Sequence, residues 1–224
     1  MPNGLGLIFD MDGVLVNSYQ AHLQSWRQMA SQHGLSVSDS DFARTFGRTT
    51  RDIIGVLWPG RFDAAQVAQF DLEKEAAYRR VIEADFPEMD GAGDLIAALH
   101  KAGFKLAIGS SGPPENVAVV RKCVPHGELI DATVNGGEVK HGKPDPEVFV
   151  LCGQKIGIEP KRCAVIEDAV AGVDAARRAG MISIGLLGTA TREALAVHAH
   201  KIVDSLRQLT PANIADLIQG TVHG

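Results

Sequence analysis

Cysteine is scarce in this chain, and the three present (Cys123, Cys152 and Cys163) are odd in number and widely spaced. That excludes a disulfide framework and a zinc motif, and it fits a reducing compartment, so a cytoplasmic location is expected. No apolar run approaches the roughly 18 residues needed to span a bilayer. A basic stretch followed by a long apolar run is absent from the start of the chain, so neither a membrane span nor a signal peptide is expected. Excess positive charge is missing as well: 22 Lys and Arg stand against 27 Asp and Glu, for a net charge of −5. Nucleic acids and anionic membranes select basic surfaces, so neither is expected as a partner, and an anionic substrate would need local positive charge or a metal. There is no internal repeat and no low-complexity tract. Of the eight histidines, only His198 and His200 lie close together. With no third ligand nearby, they read as surface residues.

What is present is an ordinary globular composition, 45% hydrophobic and 22% charged over 224 residues, enough for a substantial core. The chain has two textures. Residues 17–86 read as entirely helical: His22, Trp26, Met29 and His33 share one helical face, and Val67, Phe70, Ala77 and Val81 share another. From about residue 88 onward, short apolar strands (105–109, 130–134, 163–166 and 182–186) alternate with helices (93–102, 114–123, 146–156, 169–179 and 211–219). Such alternation predicts an α/β fold with right-handed crossovers and a parallel, Rossmann-like sheet covered on both faces. A first strand ending at Asp10 has no partner in the helical segment and is expected to join that sheet. The expected organisation is a core of residues 1–16 and 87–224 with a helical cap domain of residues 17–86 inserted after the first strand. Open α/β sheets bind ligands at the carboxyl ends of their strands, where such an insertion could act as a lid.

Phe9-Asp10-Met11-Asp12-Gly13-Val14-Leu15 is the most informative segment. Leu5, Leu7, Ile8 and Phe9 read as a short buried strand. Asp10 and Asp12 are two apart, so on an extended backbone their side chains leave the same side, and Gly13 permits a sharp turn. Neighbouring carboxylates repel, and a divalent cation or a shared proton resolves that. A calcium loop also begins Asp-x-Asp-Gly, but it needs further oxygen ligands where this chain has Val14, Leu15 and Val16. The plainer alternative is a polar turn after a strand.

Three further segments resemble pieces of one site. Ile108-Gly109-Ser110-Ser111-Gly112-Pro113-Pro114 is a strand, a small polar turn and a proline-started helix. Ser110 and the amides after it could bind a phosphate oxygen, or Ser110 could simply cap the helix. Gly142-Lys143-Pro144 fixes one lysine in an extended conformation before a helix, which could place its ammonium near an anion or leave it solvated in a turn. Val165-Ile166-Glu167-Asp168 puts two acids at the end of a buried strand, where Asp168 could cap the next helix or help hold a cation. Oxygen donors without cysteine or histidine favour magnesium over zinc.

The segments FDMDGVLVNS, AIGSSG, HGKPDPEVF and VIEDAVAGVDAARRAGM, in this order and spanning nearly the whole chain, resemble the haloacid dehalogenase superfamily of phosphohydrolases, with its small helical cap. The resemblance implies that Asp10 is the nucleophile giving an aspartyl-phosphate, and that Asp12 protonates the leaving oxygen and then activates water. It implies that Ser110, with Ser111 and Gly112, and Lys143 hold the phosphoryl oxygens. Mg²⁺ would be bound by Asp10, the Asp12 backbone carbonyl and Asp168, with Glu167 as a further ligand or a supporting group. The dehalogenases lack the second aspartate, because a halide leaves without a proton, so Asp12 favours phosphate chemistry. Glu167-Asp168, together with His22 and Trp26, resembles the branch that holds β-phosphoglucomutase and sugar-phosphate phosphatases, although Trp26 also reads as part of a packed helix face. Those mutases carry a basic residue shortly after the serine; here Ser111-Gly112-Pro113-Pro114 carries none, while Arg48 and Arg51 could grip a distal anionic group.

The resulting expectation is a Mg²⁺-dependent phosphatase acting on a small phosphorylated metabolite, a sugar phosphate, and working as a monomer. A phosphomutase of the β-phosphoglucomutase type and a non-catalytic binding module on the same scaffold are the alternatives.

Overall fold

The computed structural model describes residues 4–222. The chain divides into two compact units, Met1–Asn17 with Pro87–Gly224, and Ser18–Phe86.

The first unit is built on six parallel strands: β1 (Gly6–Phe9), β2 (Lys105–Gly109), β3 (Ala132–Val134), β4 (Cys163–Glu167), β5 (Ile182–Leu186) and β6 (Lys201–Val203), in the order β3-β2-β1-β4-β5-β6. The central strands are apolar on both faces because helices cover both. β1 is buried at every residue, as are β4 and β5. Such runs lack the alternation of a half-exposed strand and are the mark of a covered parallel sheet. Ile8, Ala107 and Val165 are in register on one face. They form one cluster with Val148, Phe149, Cys152, Ala175 and Ala176, contributed by the helices Glu147–Ile156 and Val170–Arg178.

The strand order reverses between β1 and β4. The chain leaves β1 towards β2 and β3, then returns to the other side of β1 to begin β4. Crevices at the carboxyl ends of strands flanking such a reversal are where open α/β sheets bind ligands. Asp10 follows β1, and Asp168 follows β4, whose last residue is Glu167. The loops there are tightly made: the Asp10 amide donates to Ile166 O (3.0 Å), and Met11 O accepts from the amides of Leu15 (2.9 Å) and Val16 (3.2 Å).

The second unit contains α1 (Tyr19–Gln32), α2 (Asp39–Thr45), α3 (Thr50–Leu57) and α4 (Ala64–Ala84). Their starts are written in local chemistry. Ser38 with Asp41, and Asp63 with Gln66, form reciprocal capping boxes at α2 and α4, and Thr49 caps α3. Leu23, Trp26, Met29, Phe42, Ile53, Ile54 and Phe70 close a separate apolar core. The remaining helices, all in the first unit, are α5 (Ala92–Lys101), α6 (Pro114–Cys123), α7 (Glu147–Ile156), α8 (Val170–Arg178), α9 (Arg192–Ala196) and α10 (Pro211–Val222).

Three details depart from the sequence reading. The third strand begins at Ala132, because Gly127–Leu129 winds into a 3₁₀ turn and Asp131 turns its carboxylate to the Leu106 amide. β6 and α9 are absent from the expected elements; at three and five residues they are too short to show a period. On α4 the buried stripe is Phe70, Lys74, Ala77, Tyr78 and Ile82, with a lysine among apolar residues and Ile82 rather than Val81 fully covered. At the outer edge of the sheet, Lys155 of α7 donates to the β3 carbonyl of Thr133 (2.8 Å).

The tight packing of the second unit gives a direct expectation. Phe42 is 1% exposed and meets Tyr19 edge-on at 5.0 Å. Phe42→Ala should cost about 3–5 kcal/mol in urea denaturation; a loss below ~1 kcal/mol would show that this core is not closely packed.

Candidate active site

Three carboxylates converge where the strand order reverses. Asp10, Glu167 and Asp168 are all buried, and each offers an oxygen within 4.8 Å of the other two. Lys143 reaches into the same cluster: its Nζ lies 2.5 Å from Asp10 Oδ1 and 2.8 Å from Glu167 Oε1, with its side chain only 10% exposed. The lysine is therefore no solvated turn residue. The ring of Phe149 lies beneath the ammonium, 4.8 Å from centroid to Nζ.

The loop that carries Lys143 is pinned by two acids. Glu147 Oε2 accepts from the amides of Lys140 (2.7 Å) and His141 (3.1 Å), and Asp145 Oδ1 accepts from the Glu147 amide (3.0 Å). The Lys143–Pro144 peptide is cis.

Two glycines make the acid cluster possible. A methyl on Gly172 would fall 1.7 Å from Glu167 Oε1, and one on Gly13 would fall 2.0 Å from Asp168 Oδ2. Gly13 also has φ of +77°, which side-chain-bearing residues rarely adopt. Glu167 is fully engaged: Oε1 meets Lys143, and Oε2 accepts from the Ala169 amide (2.7 Å). Asp168 Oδ2 accepts from the hydroxyl of Thr189.

Burial dominates the electrostatics. It raises Asp10 well above the ordinary carboxylate range; Lys143 works against that rise, while Glu167 and Asp168 add to it. Burial, then the charge of Glu167, pushes Asp168 up to about 7. For Lys143, burial alone would favour loss of the proton, but Asp10 and Glu167 outweigh it and hold the ammonium above its usual range.

Asp12 is half-buried just past the end of β1, where it bridges to Val16, and the acids grouped with Asp10 among the described residues are Glu167 and Asp168. Ser110 is buried at the end of β2, and its Oγ accepts from the Gly112 amide (3.0 Å). It does not cap α6, whose N-cap is Pro113 without a side-chain bond. Gly112 O accepts from the Gly136 amide (2.8 Å), which braces the Ser110–Gly112 turn against the segment after β3.

His22, Arg48 and Arg51 belong to the Ser18–Phe86 unit. His22 stacks on Tyr78 (4.2 Å, 9°), and its Nδ1 lies 3.0 Å from Nζ of the buried Lys74, which also meets Glu75 at 2.7 Å. Arg48 and Arg51 are exposed around the start of α3. His198 and His200 do not converge: His198 Nδ1 lies 3.2 Å from Asp174, and His200 Nδ1 accepts from the Ser183 amide (3.1 Å). The sequence reading missed Glu147, Phe149, Gly172 and Thr189. Gly172 follows Glu167 closely enough to suggest a near approach; Thr189 stands 21 residues from Asp168 and carried no signal.

A family model described as haloacid dehalogenase-like hydrolase matches residues 6–180, a span that holds Asp10, Lys143, Glu167 and Asp168. The chain belongs to the haloacid dehalogenase-like hydrolases. Hexitol phosphatase A of Escherichia coli is 33% identical over 92% of this chain and 93% of its own length. Fructose-1-phosphate phosphatase of the same organism is 31% identical over 80% of this chain and 94% of its own. The crystal structure of β-phosphoglucomutase from Clostridium difficile superposes with a TM-score of 0.81 over 98% of this chain and 99% of its own, at 23% identity, a likeness of fold. With these relatives, this haloacid dehalogenase-like hydrolase is a phosphoric monoester hydrolase.

The raised Asp168 makes the hydrolase's stability depend on pH in a definite sense. Folded Asp168 keeps its proton up to about pH 7, against 3.8 for the ordinary group, so between these values the native state binds more protons and loses stability as pH rises. Asn at this position is neutral throughout. In chelator-treated protein, the melting temperature of Asp168→Asn should gain on the parent as pH goes from 5 to 8, by a free energy on the order of a few kcal/mol. A difference that stays constant with pH would contradict the raised value.

Proposed function

We propose that this hydrolase cleaves the monoester of a small sugar phosphate through an aspartyl-phosphate on Asp10, with Mg²⁺ held by Asp10, Asp168 and the backbone carbonyl of Asp12, and with Glu167 as a further ligand or a supporting group. The observation that carries the reading is the ammonium of Lys143 set between Asp10 and Glu167 inside a buried acid cluster. Three carboxylates against one lysine leave an excess of two negative charges when all are ionised, which a divalent cation would neutralise. The donors are hard oxygens, and among the described residues no cysteine or histidine joins them, which suits magnesium. When bound, the ion supplies positive charge against the phosphoryl oxygens.

The chain's own residues divide the chemistry. Asp10 forms a bond to phosphorus as the ester oxygen departs, and Asp12 gives that oxygen a proton. Asp12, now a carboxylate, takes a proton from water; the water oxygen bonds to phosphorus, and the Asp10–phosphorus bond breaks to release inorganic phosphate and restore both aspartates. Lys143 keeps its proton throughout. It holds Asp10 Oδ1, leaves the second oxygen uncommitted to the lysine, and offsets the repulsion between a carboxylate and a phosphate. Ser110 keeps its own O–H while accepting from Gly112, so it can donate to a phosphoryl oxygen with the amides of Ser111 and Gly112.

The sugar as substrate class rests on the relatives, which are named for hexitol phosphates and fructose 1-phosphate. In the Ser18–Phe86 unit, His22, Arg48 and Arg51 carry groups suited to hydroxyls or a distal anion. The turn after Ser110 carries no charge, which favours hydrolysis over mutase chemistry.

Phosphate release from a panel of sugar phosphates, phosphoglycolate and nucleotides tests the reading. Release should be selective for sugar phosphates and abolished by chelation, and Asp10→Asn should lower kcat by at least ~10³-fold while the fold survives. An active Asp10→Asn variant would refute it. Isomerised hexose phosphate appearing with a bisphosphate primer, without net phosphate release, would replace it with the mutase reading.

A further inference from the structure

We propose that Thr189 is a positioning residue: its hydroxyl fixes the Asp168 carboxylate in the orientation that receives the divalent cation, and so sets the affinity of the site for that ion. This rests on the reading that Asp10 and Asp168 hold the ion.

Three observations carry it. Thr189 donates its hydroxyl hydrogen to Asp168 Oδ2. Once Asp168 is ionised, as a cation ligand must be, its carboxylate can only accept, which fixes the direction of the bond. Gly13 closes on the same oxygen from another side, where a methyl would fall 2.0 Å from Oδ2 and 2.6 Å from Cγ. The carboxylate is thus held on its Oδ2 side by one hydroxyl and by bare backbone that leaves no room for a side chain. The third observation is the support of the hydroxyl itself. Thr189 follows β5, which pairs with β4 up to Glu167 opposite Gly185. Its loop is tied at both ends: the Leu187 amide donates to Val203 O (2.9 Å), and the Thr191 side chain caps α9 by accepting from the Ala194 amide (3.3 Å). Leu195 of α9 is fully buried and anchors the far side.

Groups that orient a metal ligand commonly contribute 10- to 100-fold in metal affinity. A carboxylate without this partner would be held less firmly, and ordering it again would oppose binding.

The test compares Thr189→Val, which keeps the shape and removes the hydroxyl, with Thr189→Ser, which restores it. Full-length protein stripped with chelator is titrated with Mn²⁺ in the absence of substrate, and free Mn²⁺ is read by electron paramagnetic resonance. Thr189→Val should bind Mn²⁺ about 10-fold more weakly or worse, and Thr189→Ser should stay within about 3-fold of the parent. In phosphate release, the valine variant should need correspondingly more Mg²⁺ for half-maximal rate, with KM for the sugar phosphate unchanged. Parental Mn²⁺ affinity in Thr189→Val would overturn the inference. A loss not recovered by serine would overturn it too, since that marks general damage to the loop. If valine prevents folding, as judged by circular dichroism, Thr189→Ala takes its place in the same comparison. Asp168→Asn separates the two readings. If it loses Mn²⁺ while Thr189→Val does not, only the role of Thr189 falls. If the parent binds no better than Asp168→Asn, the cation reading fails and this inference with it.

Discussion

A buried ammonium between two carboxylates is the constraint around which the first unit is arranged. Lys143 comes from a loop, Asp10 from the end of β1 and Glu167 from the end of β4, separated in sequence by 133 and 24 residues from the lysine. Breaking such a contact in a dry interior strands a charge, at a cost of roughly 3–5 kcal/mol. The ion pair therefore ties the sheet to the loop ahead of α7. Its partners are satisfied as well: the second oxygen of Glu167 takes a backbone amide, and the aromatic face of Phe149 supports the ammonium. Even so, burial first, and then the neighbouring acids, shift Asp10 and Asp168 upward in spite of the lysine.

The glycines show how such crowding is reached. Gly13 and Gly172 lie at contact distances no side chain could tolerate, and each faces a different acid. A carboxylate normally keeps water around it. Here backbone replaces that water on one side, which dries the cluster and strengthens every interaction within it. The same dryness reaches the thiol of Cys152, which burial pushes up to about 12, so that it stays protonated and inert.

Much of this was legible in the sequence, for identifiable reasons. The strands around Ile8, Ile108 and Val165 announce themselves because a covered parallel strand must be apolar at every position. Asp10, Lys143, Glu167 and Asp168 stood out because each sits where an apolar run or a proline-flanked turn stops. The short elements β6 and α9 did not, since three and five residues define no period. Lys74 was hidden for another reason. A lysine within a helical stripe reads as exposed, and only the stacked His22 and Tyr78 and the adjacent Glu75 account for its burial. Asp12 lies past the end of β1, in a segment whose course the two-residue spacing does not fix. Thr189 had no local signature at all; its meaning depends on β5 lying beside β4.

An open sheet of parallel strands has two unpaired margins, and such margins invite edge-to-edge polymerisation. This sheet ends in β3 and β6, the two shortest strands, each three residues long. At the β3 margin, Lys155 reaches over from α7, pairs with Glu138 and occupies the carbonyl of Thr133. A would-be incoming strand meets a cation where it needs an acceptor. The lysine that seems a minor surface group thus takes up an acceptor that an added strand would need.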